Sequence, residues 1–275
     1  MPELPEVETI ASILRRGSDH HPSLLGKTIL DAHLLWERTL AYPSPAVFQE
    51  KIIGQVIHEI GRRGKFLLLS LSKGALLIHL RMSGDLLVES SSNPPATHHR
   101  LMLDLDGGLR LSFNDPRKFG RVWLVADPQI VLGSLGPEPL SPDFTPHAFY
   151  ERLQRHNRQL KPLLLDQTFL AGLGNIYADE ALHRAKLHPK VNAATLNRVQ
   201  AEQLWMSIRQ VLQEGIQHNG ASIDWVYRGG EFQHDFRVYR RNGKPCPVCG
   251  TPIQRIAVGQ RSTHFCPSCQ PLPQP

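Results

Sequence analysis

Four cysteines are all the chain has, and all lie in its last thirty residues: Cys246, Cys249, Cys266 and Cys269. They read C-x2-C, sixteen residues, C-x2-C, the spacing at which two tight knuckles place four thiolates around one tetrahedral zinc ion. Pro247, Pro267 and Gly250 supply the turn chemistry such knuckles need. The alternative, two disulfides, suits a secreted chain, but the opening MPELPEVETI has three glutamates and no basic residue, unlike a secretory signal. Zinc also explains how so short a tail folds, since metal binding can contribute on the order of 10 kcal/mol.

The other end offers a nucleophile. Removal of the initiator Met leaves Pro2 with a free secondary amine. An α-amino group titrates near 8 against about 10.4 for lysine, so far more of it is neutral and nucleophilic at pH 7. Attack on an aldehyde-level carbon gives an iminium cation, a strong electron sink. Glu3 is adjacent to carry protons, and Glu6 lies one helical turn further on. Spacing alone equally allows these residues to be ordinary helix-start features.

Three loops add charge and apolar tips. Gly61-Arg62-Arg63-Gly64-Lys65 joins two apolar runs and can hold phosphate or place Lys65 in a cleft; a solvated edge hairpin is the plainer reading. Asn114-Asp115-Pro116-Arg117-Lys118-Phe119-Gly120 presents cations and an aromatic on one loop, as a wedge between bases would require, and His79-Leu80-Arg81-Met82-Ser83-Gly84 offers Met82 as a second tip. Both tips are also compatible with core packing. Gly172-Leu173-Gly174-Asn175 precedes a helix and leaves backbone N–H groups open to an anion. It is no P-loop, and no βαβ unit surrounds it; a helix–turn–helix clamp on a nucleic-acid backbone fits better.

Hydrophobic periodicity supplies the elements that position these groups. Val7, Ile10, Ala11 and Leu14 recur at helical spacing between Pro5 and Gly17. Strand-like runs follow at 28–35, 55–60, 66–72, 75–81, 100–105, 109–113 and 121–124, with Asp106-Gly107-Gly108 as a hairpin turn. Seven short strands predict a β-sandwich. After the Pro-rich stretch Gly136–Pro142 the period becomes helical, at 146–155, 160–166, 175–185 and 195–219. The expected class is α+β: an N-terminal helix and β-sandwich domain (1–135), a linker (136–145), a helical domain (146–238) and a zinc finger (239–275).

Over 275 residues, 31 Lys and Arg face 25 Asp and Glu, a formal charge of +6, and 41% of residues are hydrophobic. That excludes wholesale disorder. The longest apolar stretch, Phe66 to Leu80, is broken by Ser70, Ser72, Lys73 and Gly74, short of the ~20 apolar residues of a spanning helix. The expected protein is cytoplasmic, and the mild basicity permits a polyanionic partner.

Taken together, the motifs resemble those of the formamidopyrimidine-DNA glycosylases of bacterial base-excision repair. The resemblance runs along nearly the whole chain, through Met1–Thr9, His79–Gly84, Asp115–Gly120, Lys161-Pro162 with Asp166-Gln167, Gly172–Glu180, and Gln260–Gln270. Related endonuclease VIII enzymes typically have Gly where this chain has Leu4, which favours the purine-directed branch. The resemblance implies a helix-two-turn-helix in the second domain and a monomer that binds damaged double-stranded DNA at the nucleoid. Its activity would be to excise oxidised purines such as 8-oxoguanine and formamidopyrimidines, then cleave the abasic site by β,δ-elimination.

It also implies roles. Pro2 would attack C1′, Glu3 would donate the proton for sugar opening, and Glu6 would support the terminus. Lys65 would assist β-elimination, and Arg261 would contact the phosphate flanking the lesion and donate the proton for δ-elimination. His98, Arg117, Lys161 and Asn175 fall at backbone-contacting positions, and His156 stands where a basic DNA contact often lies. Met82, Arg117 and Phe119 match the residues that fill the gap left by the flipped nucleotide. The stretch Ala221–Gly230 departs from the family pattern and lacks its basic residue in register, so lesion preference is the carry-over it weakens most.

Overall fold

The structure, a computed structural model, describes residues 1–222 and 229–272. Two compact units divide at Gly133/Ser134, and the later stretch Ser222–Gly230 groups with the first of them.

The first unit opens with helix α1 (Leu4–Arg16). It begins at Glu3 with Pro5 in its first turn and ends at Gly17, whose φ is +84°. Glycine is needed there: a Cβ would lie 2.8 Å from the Ser23 backbone nitrogen. Leu4, Val7, Ile10, Ala11 and Leu14 are buried, the face that the helical spacing predicts.

Then come β1 (Ile29–Leu34), β2 (Leu40–Tyr42), α2 (Pro45–Ile52), β3 (Ile57–Arg63), β4 (Phe66–Leu71), β5 (Ala75–His79), β6 (Asp85–Ser90), β7 (His99–Leu105), β8 (Leu109–Asn114), β9 (Arg121–Val125) and the short α3 (Gln129–Leu132). The strands form two sheets, ordered β1-β7-β8-β6 and β2-β9-β5-β4-β3, antiparallel throughout except that β2 lies parallel to β9. Their inner faces share one core with α1 and α2, in which Leu67, Leu69, Leu76 and Ile78 meet Leu101, Leu103, Leu111 and Phe113. This is the expected sandwich, with all seven expected strands. Strands β2 and β6 and helix α2 were not legible in the periodicity.

The second unit holds α4 (Pro146–Gln154), α5 (Leu160–Leu164), α6 (Asn175–Arg184), α7 (Arg198–Gln217) and the hairpin β10 (Gln254–Val258)–β11 (Arg261–Phe265). Helices and ribbon belong to one compact unit, and α6 packs on β11. Asn197 caps α7 by accepting from the Gln200 N–H at 2.9 Å. The Arg184 guanidinium grips both Glu214 oxygens at 2.6 and 2.7 Å, tying α6 to α7.

The Pro-rich stretch 136–142 carries no helix or strand, yet it is not slack. Arg209 of α7 donates to the Pro139 carbonyl at 2.7 Å, and Gly136 lies so close to Phe169 that a Cβ would sit 2.6 Å from its backbone. No helix among the described residues is long and apolar enough to cross a membrane.

Candidate active site and nucleic-acid interface

The first unit gathers three of the expected catalytic groups around the start of α1 and the β3–β4 turn. Pro2, Glu3, Glu6 and Lys65 are all buried. Glu6, in the first turn of α1, accepts the Glu3 backbone N–H at 2.6 Å, half of a capping box. This charge-assisted bond fixes the chain where Pro2 leaves the helix, while Met1 is exposed to processing. Helix α1 is held to the strand carrying the turn: the Glu8 carboxylate pairs with Arg62 at 2.9 Å, and Arg15 donates to the Ile60 carbonyl at 2.9 Å.

Gly64 and Lys65 are the two loop residues between the paired Arg63 and Phe66. Gly64 alone of the two has positive φ, +58°, as a type II′ turn requires at its first position. Lys65 is thereby set at the tip of a rigid hairpin but turned into the protein. Its neighbour His79 stacks edge-on against Phe66 at 4.7 Å, and its Nδ1 accepts the Arg81 N–H at 3.0 Å. Burial, with Arg81 and Lys65 nearby, drives the His79 pKa down to about 3. The ring is therefore neutral and adds no positive charge beside Lys65.

The two apolar tips are exposed: Met82 is 42% and Phe119 48% accessible, which decides against core packing. The Arg117 guanidinium lies 5.1 Å from the Phe119 ring centroid, so cation and aromatic form one projection. A single buried residue, Asp115, organises this end. Its carboxylate accepts from the Ser83 hydroxyl, from the Gly120 N–H at 2.7 Å and from the Arg117 N–H at 3.2 Å, joining both tip loops. Its backbone N–H donates to the carbonyl of exposed His98 at 2.8 Å.

The Phe113 ring lies under both loops, so close that a Cβ on Gly84 or Gly120 would stand 2.7 or 2.2 Å from it. Thus Met82, His98, Arg117 and Phe119 are presented together by one hydrogen-bonded scaffold. Phe119→Ala should weaken extrusion of a paired lesion more than binding of a ready-made abasic site. Stopped-flow fluorescence of a base analogue beside the lesion, compared with abasic-duplex affinity, checks this; equal losses would argue against a wedge.

The second unit corrects one expected role. Lys161 is not a surface cation: it is 0% exposed, paired with Asp179 at 2.6 Å and donating to the Ser262 carbonyl at 3.0 Å and Thr263 Oγ1 at 2.8 Å. Asn175 also donates to the Ser262 carbonyl, at 3.1 Å, and Asp179 accepts the His264 N–H at 2.9 Å. Lys161, Asn175 and Asp179 therefore brace the β10–β11 hairpin.

At the hairpin's tip Gly259 and Gln260 have φ of +55° and +61°, as in a type I′ turn, and exposed Arg261 follows directly. His156 is half-buried with its ring edge-on to Phe169 at 5.3 Å.

All four cysteine sulfurs lie within 4.8 Å of one another, with Cys246–Cys269 at 3.9 Å and Cys249–Cys266 and Cys249–Cys269 at 3.4 Å. Tetrahedral Zn–S bonds of about 2.3 Å require sulfurs roughly 3.8 Å apart, whereas a disulfide needs about 2.05 Å. The donor set fits zinc. His183 adds a neighbour that sequence spacing did not suggest. Burial pushes its pKa down to about 4, and its Nε2 lies 3.3 Å from Cys246 Sγ, where an N–H can stabilise a thiolate. Glu180 closes the other side, accepting the N–H groups of Arg237, Val238 and Tyr239 at 2.8–3.0 Å.

The divergent stretch that bears on lesion preference falls largely on residues 223–228, outside the described residues.

Three family profiles cover the chain: a formamidopyrimidine-DNA glycosylase N-terminal domain over residues 1–122, the H2TH domain of the same enzymes over 135–226, and a zinc finger found in these proteins and in IleRS over 243–272. The formamidopyrimidine-DNA glycosylase of Chloroflexus aurantiacus is 50% identical over 278 residues, 98% of each chain. That of Geobacillus kaustophilus is 42% identical over 98% of this chain and 100% of its own.

Among solved structures, the Lactococcus lactis protein in complex with DNA containing N7-benzyl-Fapy-dG superposes with a TM-score of 0.91 at 35% identity, covering 98% of this chain and 100% of that one. Its complex with abasic-site DNA gives 0.90 at 34%, with the same coverage. The chain belongs to the formamidopyrimidine-DNA glycosylase family.

Proposed function

We propose that this protein is a base-excision repair enzyme that removes oxidised purines from duplex DNA and then cuts the strand at the resulting abasic site. The observation that carries the reading is the buried cluster at the start of α1, with Glu6 bonded to the Glu3 N–H and Lys65 held in the adjoining hairpin turn, in a chain of this family. It acts as a monomer on damaged DNA, in the compartment that holds the bacterial chromosome.

The chemistry follows from what each group can do. Base and C1′ are inaccessible in a stacked duplex, so the nucleotide must leave the helix at a cost of a few kcal/mol; Met82, Phe119 and Arg117 occupy the vacated space. With Met1 removed, the Pro2 nitrogen bonds to C1′ and the C1′–N9 bond breaks; the base leaves with that electron pair and takes up the proton that the Pro2 nitrogen loses. Glu3 delivers a proton to O4′ as the C1′–O4′ bond opens, which gives the iminium ion.

That cation acidifies C2′–H. Loss of the proton expels the 3′-phosphate, with Lys65 assisting, and a second elimination at C4′ expels the 5′-phosphate, with Arg261 as proton donor. Water then hydrolyses the iminium and restores the amine. Zinc, held by Cys246, Cys249, Cys266 and Cys269, supplies folding energy and no reacting group.

Borohydride trapping on a duplex with 8-oxoguanine opposite cytosine, followed by peptide mapping, tests the proposal. An adduct on Pro2 is expected. An adduct formed only on a thymine glycol duplex would move the enzyme to the pyrimidine branch, and binding without any adduct would make it a lesion sensor.

A further inference from the structure

Beside the wedge, the first unit carries a second group of cations that the proposed chemistry does not use. The Lys118 ammonium lies 4.1 Å from the Trp36 ring centroid, and the Arg38 guanidinium lies 6.0 Å from the same ring. Both side chains are exposed, and Trp36 is half-buried. Among the described residues neither cation forms an ion pair, although Glu37 stands between Trp36 and Arg38 in the chain. The indole attracts both cations, and with no carboxylate paired to either, both charges are open to an anion placed against them.

Two features show that this is no chance arrangement of surface side chains. Lys118 adopts φ +61°, a left-handed conformation that a residue with a Cβ pays to hold. The Trp36 backbone is joined to the wedge scaffold: its N–H donates to the Arg100 carbonyl at 3.1 Å, and Arg100 Nε donates to the Asp115 carbonyl at 2.7 Å. Arg117 and Phe119, on either side of Lys118, form the exposed projection described above.

We propose that Trp36, Lys118 and Arg38 form a phosphate-binding platform that extends the DNA contact beyond the wedge, with the indole collecting the two cations onto one backbone phosphate group. This inference rests on the DNA-repair reading. The class of ligand follows from continuity: the loop that presents the intercalating ring to the base stack presents Lys118 to whatever lies beside that stack, which is the sugar–phosphate backbone.

The test is the salt dependence of binding to a duplex bearing a non-cleavable tetrahydrofuran abasic analogue. Each phosphate contact contributes about 0.9 to the slope of log K against log salt, or about 3.5-fold in affinity between 50 and 200 mM. The Lys118→Gln/Arg38→Gln double variant should make the slope shallower by about that amount, and either single variant by part of it. Trp36→Leu, which removes no charge, should make it shallower by at least as much, while Trp36→Phe, which keeps an aromatic face and the packing, should restore it.

Unchanged slopes in both glutamine variants overturn the inference. So does a Trp36→Leu variant that melts like wild type and keeps the full slope, because the cations would then act without the indole. If wild type cleaves the 8-oxoguanine duplex while these slopes stay unchanged, the platform alone fails. Wild-type binding with no salt dependence overturns platform and DNA reading together.

Discussion

Pro2→Gly is expected to reduce both glycosylase turnover and borohydride trapping on an 8-oxoguanine duplex by on the order of 100-fold or more, with zinc content and melting temperature unchanged. The loss has two sources. Glycine offers a primary amine, whose adduct with C1′ can shed a proton and become a neutral imine; the prolyl adduct is a cation for as long as it lasts. Glycine also frees the backbone that the pyrrolidine ring holds, and an error of about 1 Å in placing a nucleophile can cost 100-fold by itself. The fold should not notice, because Pro2 precedes α1, whose anchors Leu4 and Val7 stay buried. Affinity for an abasic-analogue duplex should also persist. Near-normal trapping would refute Pro2 as the nucleophile.

Loss of the metal should have the other large effect. Cys249→Ser, or exhaustive chelation, is expected to take zinc content from one ion per chain to none, measured by plasma emission, and to weaken duplex binding at least about tenfold, or 1.4 kcal/mol. With the sulfurs 3.4–3.9 Å apart and no ion between them, thiolate repulsion and lost coordination remove on the order of 10 kcal/mol of folding energy from the ribbon. Arg261 would then lose one of the two supports of its hairpin; the other, from Lys161, Asn175 and Asp179, belongs to the helices. The prediction is therefore a protein that still melts cooperatively in its helices and sandwich and is still trapped on DNA at high enzyme concentration. Its products should shift from β,δ- toward β-elimination. Metal content unchanged in Cys249→Ser would defeat the zinc assignment.

What the sequence revealed, and what it hid, follows from the range of the interactions involved. The zinc knuckles, the capped start of α1 and the helices of the second unit are written in spacings of two to four residues, and each was found where the pattern put it. Strand β2 is three residues long and pairs parallel with β9, so no alternation announces it. Strand β6 reads DLLVES with only one fully buried position, and α2 has only Phe48 and Ile52 buried, too few anchors for a period to show.

The burial of Lys161 was illegible for a different reason. Its partners Ser262 and Thr263 lie 101 and 102 residues away, and in a linear reading an isolated lysine on a short helix looks like a surface charge. Exposure of Met82 and Phe119 was likewise a three-dimensional fact, because an apolar residue beside a turn suits a core as well as a wedge.

The packing of Phe113 against Gly84 and Gly120 bears on how such an enzyme can change over evolutionary time. One ring lies against both tip loops: a methyl group at Gly120 would require that ring to give way, and one at Gly84 would meet the Leu80 carbonyl oxygen at 2.6 Å as well as the ring. The spacing of the tips is thus inherited as a single trait. The side chains at the tips meet no such barrier: Met82 and Phe119 are exposed, so exchanging them leaves the frame untouched, and the expected effect falls on extrusion of the lesion rather than on folding.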